Sequence, residues 1–88
     1  MKDNSEIEHH LAVLKRVYAN PERYNQLEIN NVIFDSKDFF CLNPNIPASH
    51  RTWYSNFQWH ELFSSGFQDF IEMAEKTRNE LQQQNQSL

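Results

Sequence analysis

The sequence predicts a mainly α domain, formally α+β, with about three helices and a short two-stranded β-hairpin between helix 2 and helix 3. Three observations predict it. Apolar residues recur at helical intervals at both ends of the chain. Two short runs of strand-forming residues flank a polar tetrapeptide in the middle. A chain of 88 residues has room for one core. Residues 1–88 therefore read as a single small domain, with 1–4 and 83–88 as frayed tails lacking an apolar stripe.

The first helix is expected at about 5–19. Ser5 and Glu8 have the spacing of a capping box, and Ile7, Leu11, Leu14 and Tyr18 follow on one face. Val17 widens that stripe and Val13 flanks it, which leaves Glu6, His9, Lys15 and Arg16 for solvent. Asn20-Pro21-Glu22 reads as a stop and a new start, because Asn caps, Pro tolerates the first helical position and Glu complements the helix dipole. A short second helix to about Leu27 is expected, with Leu27-Glu28-Ile29 opening a strand as the alternative.

Val32-Ile33-Phe34 and Phe39-Phe40-Cys41-Leu42 read as the strands of the hairpin, and Asp35-Ser36-Lys37-Asp38 as its turn. The competing reading is a helix capped by Asp35 or Ser36 and running to Asn43, since periodicity alone does not separate short apolar runs. Asn43-Pro44-Asn45-Ile46-Pro47 then predicts an extended loop. Beyond it, Ser55 and Gln58 have capping-box spacing, and Trp59, Leu62, Phe63, Phe67, Phe70, Ile71, Ala74 and Leu81 keep helical phase. That phase predicts a long helix over about 56–84, with Gly66 a weak point of about 1 kcal/mol relative to Ala. The alternative is a bend there, with Ser64 or Ser65 capping a fresh helix. Glu72 with Lys76 and Lys76 with Glu80 have ion-pair spacing on its outer face.

Composition narrows the function classes. A net charge of -4 argues against a surface that tracks phosphate backbones, so direct nucleic-acid binding is not expected. Cys41 is the single cysteine, no secretory signal pattern is visible, and no segment is apolar enough to span a membrane, which together suggest a cytoplasmic protein.

Spacing argues against an enzyme, a metal site or a cofactor. His9 and His10 are adjacent rather than one helical turn apart, and His50 and His60 stand alone. His60-Glu61 begins the zinc-protease pattern, but Ser64 occupies the place of its second histidine. Cys41 lies between Phe40 and Leu42, where burial makes a thiol inert, and Asp35 and Asp38 suit a solvated turn.

The segment richest in information runs from His50 to His60 and holds both tryptophans, Tyr54, Phe57 and Arg51. A helix that starts near Asn56 cannot turn all of these inward. Either Trp53 staples the helix start while Tyr54 or Phe57 covers the ribbon, or Arg51, Trp53, Tyr54 and Phe57 form an exposed anchor patch for another protein. The second option predicts a small non-enzymatic binding module, an adaptor or stoichiometric inhibitor. An acidic nucleic-acid mimic, or regulator of a nucleic-acid-binding protein, is the rival, acting through Asp69, Glu72, Glu75 and Glu80. Self-association through the long C-terminal helix is the third reading.

Overall fold

The computed structural model describes residues 5–86. Helix α1 occupies Ser5–Ala19, where its spacing predicts it. Ile7, Leu11, Leu14 and Val17 recur every three or four residues and are all buried. Tyr18 lies at the edge of this stripe, 41% exposed, and stacks flat on Phe67 at 3.8 Å between ring centroids. The helix stops where the Asn20 side-chain amide turns back to donate to the Arg16 carbonyl at 3.1 Å, immediately before Pro21.

Pro21–Arg23 forms a single 3-10 turn rather than the start of a helix to Leu27, and the Asn20 side chain makes no capping bond there. The cap falls five residues later. Asn25 Oδ1 accepts from the Glu28 backbone N–H at 2.8 Å, and Glu28 Oε1 accepts from the Asn25 N–H at 2.9 Å. This reciprocal pair satisfies two of the orphan donors that every helix start leaves.

Helix α2, Gln26–Leu42, follows from that cap and replaces the expected hairpin. Among the described residues there is no strand, so what they form is all-helical rather than α+β. Two physical reasons favour the helix. A tight hairpin turn wants positive φ, usually supplied by Gly or Asn, whereas Asp35-Ser36-Lys37-Asp38 contains neither, and no described residue adopts positive φ. Ile29, Ile33, Ser36 and Phe40 are also spaced four, three and four apart, which lines them on one helical face; the first two are half-buried and the last two buried. The remaining apolar residues of the two runs fall elsewhere on the helix, and Phe34 and Leu42 are 64% and 71% exposed.

A loop does form over 43–47, but as a tight turn rather than an extended one, with the Ile46 N–H donating to the Asn43 carbonyl at 3.1 Å. It buries Ile46, whose carbonyl accepts from Arg51 Nε at 3.0 Å. The chain then makes α3 at Ala48–Asn56, a 3-10 turn at Trp59–Glu61, and α4 at Phe67–Gln86. The single helix over 56–84 and the cap at Ser55 thus do not form: α3 ends at Asn56, a compact turn follows, and a fresh helix starts after a bend at Gly66, the alternative reading. The Glu61 carbonyl accepts from the backbone N–H groups of Ser64, Ser65 and Gly66 at 3.1, 3.1 and 2.9 Å, which winds the turn closed. Helix α4 starts directly after Gly66, whose carbonyl accepts from Phe70 at 3.0 Å. The expected tails at 1–4 and 87–88 lie outside the described residues, while 83–86 continue α4.

Helix α1 lies against both α2 and α4, and α2 against α3. Phe70 is the hub of the core: Phe40 meets it edge-on at 5.1 Å, Trp59 at 5.2 Å, and Phe57 tilts against it at 5.5 Å. Edge-to-face rings at such separations gain attraction beyond their buried area. Among the described residues, no helix is long and apolar enough to cross a membrane.

Candidate functional site

The aromatic segment is divided by α3. Trp53 and Phe57, one helical turn apart, come to the same side and stack at 5.2 Å with 20° between their planes. Tyr54 points the other way, is fully buried, and packs on Phe40 at 4.7 Å. Arg51 is half-buried and engaged with the loop through its bond to Ile46. Of the four residues expected in the patch, Trp53 and Phe57 are half-buried, packed against the core yet still reaching the surface, while Tyr54 belongs to the core and Arg51 holds the loop.

Trp53 and Phe57 floor a groove of about 700 Å³ between the end of α3 and the start of α4, with Gln58, Glu61 and Asp69 on its walls. A second depression of about 290 Å³ shares Trp53 and Asp69 and extends along α4 past Glu72, Met73 and Lys76. The floor is held from beneath. Trp59 meets Phe57 at 5.2 Å, and its indole N–H donates to the Tyr54 carbonyl at 2.9 Å. Gly66 closes the other side, where an added Cβ would sit 2.9 Å from Phe57 Cζ. Glycine is needed at this position for close approach of the ring, not for a special backbone angle.

The walls carry three carboxylates, Glu61, Asp69 and Glu72, against the single cation Lys76. Glu61 is partly occupied, accepting from Ser65 Oγ at 2.9 Å and facing His60 Nε2 at 3.4 Å. Asp69 and Glu72 are in no ion pair among the described residues, and the expected Lys76 pairs with Glu72 and Glu80 are not made. The ion pairs of α4 run to α1 instead, Glu75 with Lys15 at 3.2 Å and Arg78 with Glu8 at 3.3 Å. The expected acidic face is thereby split. Asp69 and Glu72 join the groove, Glu75 turns toward α1, and Glu80 is half-buried further along.

Glu61, Met73 and Lys76 are groove residues that the sequence reading did not select. The available signal was the spacing of Trp53 and Phe57, which places them on one helical face once the helix is started at Ala48, directly after Pro47.

Helices α3 and α4 also share a polar hub. Thr77 Oγ1 donates to the Met73 carbonyl at 3.1 Å and accepts from the Tyr54 hydroxyl at 2.6 Å. His50 Nδ1 lies 2.7 Å from the same oxygen. One proton and two lone pairs on Thr77 accommodate all three bonds when His50 carries its proton on Nδ1. Burial pushes the Tyr54 hydroxyl far above its usual range. At the α1–α2 contact, His10 stacks on Phe39 at 4.4 Å. Burial lowers its pKa, reinforced by His9 and opposed by Asp35 and Glu6.

Among the described residues, no group of three or more His, Cys, Asp or Glu is placed to hold a metal ion. Cys41 is a half-buried free thiol against the core. The apolar stripe of α4, which suggested self-association, is covered by the chain's own core: Phe67, Phe70, Ile71, Ala74 and Leu81 are all buried. Comparison with protein-family models, curated proteins and solved structures finds no match.

Proposed function

We propose that the chain is a small non-enzymatic protein-binding module that receives a partner's side chain in the groove floored by Trp53 and Phe57. One observation carries this reading: two large aromatic rings, stacked at 5.2 Å and packed against the core on one side, line an open concavity of about 700 Å³ on the other. Aromatic residues held rigid from below make favourable anchors, because little side-chain freedom is lost when a partner covers them. Phe57 has that rigidity from Trp59, Phe70 and Gly66. The acidic-mimic alternative has weaker support, since Glu75 is paired with Lys15 and Lys76 interrupts the remaining acids.

The test is a pull-down with the full chain, the Trp53→Leu variant, and Phe34→Ser as a control at an exposed apolar side chain of α2 that does not line the groove, each first checked for native helicity. The reading expects a protein retained by wild type and by Phe34→Ser and lost with Trp53→Leu. Equal retention by folded Trp53→Leu would remove the groove from the account.

A further inference from the structure

We infer that the occupant of the Trp53 groove is an arginine-bearing basic segment of a partner protein. The inference rests on the groove being the binding site and adds the chemistry of what fills it. Three features converge. Trp53 stacks one face on Phe57 and lines both depressions, and the indole surface left open is of the kind on which a guanidinium stacks through its plane and its positive charge. The walls carry Glu61, Asp69 and Glu72 against Lys76 alone, so the groove is locally negative. Asp69 and Glu72 have no ion-pair partner among the described residues, whereas Glu75 and Glu8, the nearby acids that face cations, are paired. A planar guanidinium laid on Trp53 reaches Asp69, which lines both depressions, and its stem covers the apolar edge of Met73.

Arginine is favoured over lysine for a geometric reason. The floor offers a flat face and the wall a carboxylate, which a planar fork satisfies together and a compact ammonium does not. The two depressions share Trp53, so a second basic residue of the same segment has Glu72 within its course along α4.

Fluorescence anisotropy with the full chain tests this, using labelled nonapeptides in which glycine alternates with arginine, lysine or glutamate. The arginine peptide is expected to bind, the lysine peptide several-fold more weakly, and the glutamate peptide not at all. Raising salt from about 50 to 500 mM should weaken the arginine complex at least tenfold, because exposed charges are screened over a few ångströms at the higher value. The Asp69→Asn, Glu72→Gln double variant changes exposed side chains, keeps the fold, and should weaken binding about tenfold. The Asp35→Asn, Asp38→Asn variant removes the same total charge from α2 and should leave affinity unchanged. Binding of the glutamate peptide equal to that of the arginine peptide would overturn the inference, as would an equal loss in the two charge variants. If Trp53→Leu loses the pulled-down partner while Asp69→Asn, Glu72→Gln keeps it at any salt, the groove stands and its basic occupant falls. If Trp53→Leu keeps the partner, both fall.

Discussion

Replacing Gly66 by alanine separates the broken architecture from a continuous helix by the sign of its effect. The new methyl would lie 2.9 Å from Phe57 Cζ, 3.2 Å from Cε1 and 3.4 Å from the Glu61 carbonyl oxygen, the first closer than real contacts allow. Phe57 can retreat only toward the groove, at the cost of its contacts with Trp53, Trp59 and Phe70. Overpacking of this kind costs about 1–3 kcal/mol. Gly66 is also the residue before the first turn of α4, where alanine is a poorer cap than glycine by roughly half a kcal/mol. The smaller conformational freedom of alanine in the unfolded chain offsets about 0.4–1 kcal/mol of this. The net expectation is a loss of about 0.5–3 kcal/mol, read by urea denaturation followed by circular dichroism at 222 nm. In a domain of this size each kcal/mol lowers Tm by about 4–8 °C. In a Phe57→Leu background, which removes the clashing ring atoms, the cost of Gly66→Ala should shrink by more than about 0.5 kcal/mol. A continuous helix through residue 66 predicts the reverse, a gain of about 1 kcal/mol. Stability equal to or above wild type would refute the clash.

Thr77→Val should cost about 1–3 kcal/mol, because it leaves the buried Tyr54 hydroxyl without its partner; Thr77→Ser should recover most of it in the same urea titration. His10 is neutral more readily in the folded chain than in the unfolded one, so the unfolded state binds the extra proton and stability should fall as pH drops below about 6.5. His10→Gln should flatten that slope between pH 5 and 7. At the alkaline end Tyr54 has the opposite sign: its raised pKa means that stability is lost as pH rises above about 10, and Tyr54→Phe should remove that component. On α2, Phe40→Ala should cost about 3–5 kcal/mol, whereas Phe34→Ser, at a side chain 64% exposed, should stay within about 0.5 kcal/mol.

Both ends of the fold were legible in the sequence for a simple reason. The apolar stripes of α1 and α4 repeat over several turns, so the period is unambiguous. The middle was harder. The apolar runs at 32–34 and 39–42 resemble strands when each is read alone, and they become helical only when Ile29, Ile33, Ser36 and Phe40 are read as one face. The Asn25 and Glu28 box that starts this helix was present in the sequence, but Asn20-Pro21-Glu22 offered a competing cap that forms only a 3-10 turn.

Phase was equally misleading around Gly66. Trp59, Leu62, Phe67 and Phe70 keep helical spacing through a turn that is not a helix, because burial against one core imposes inward-facing positions whatever the local backbone. For the site, the concentration of aromatics at 53–57 was visible, but which of them face outward depends on where α3 begins. The pairing of Asp69 and Glu72 with that patch is a long-range contact between helices, and local spacing holds no information about it.

The most direct test of the account uses the two indole N–H signals in an 15N-1H correlation spectrum of the full chain. Trp59 is buried and donates to the Tyr54 carbonyl at 2.9 Å, whereas Trp53 lines the groove. On titration with the arginine nonapeptide, the Trp53 signal is expected to shift progressively and return toward its starting position when salt is raised, while the Trp59 signal stays within a small fraction of that shift. A titration in which bound peptide leaves the Trp53 signal in place would contradict the groove as the binding site.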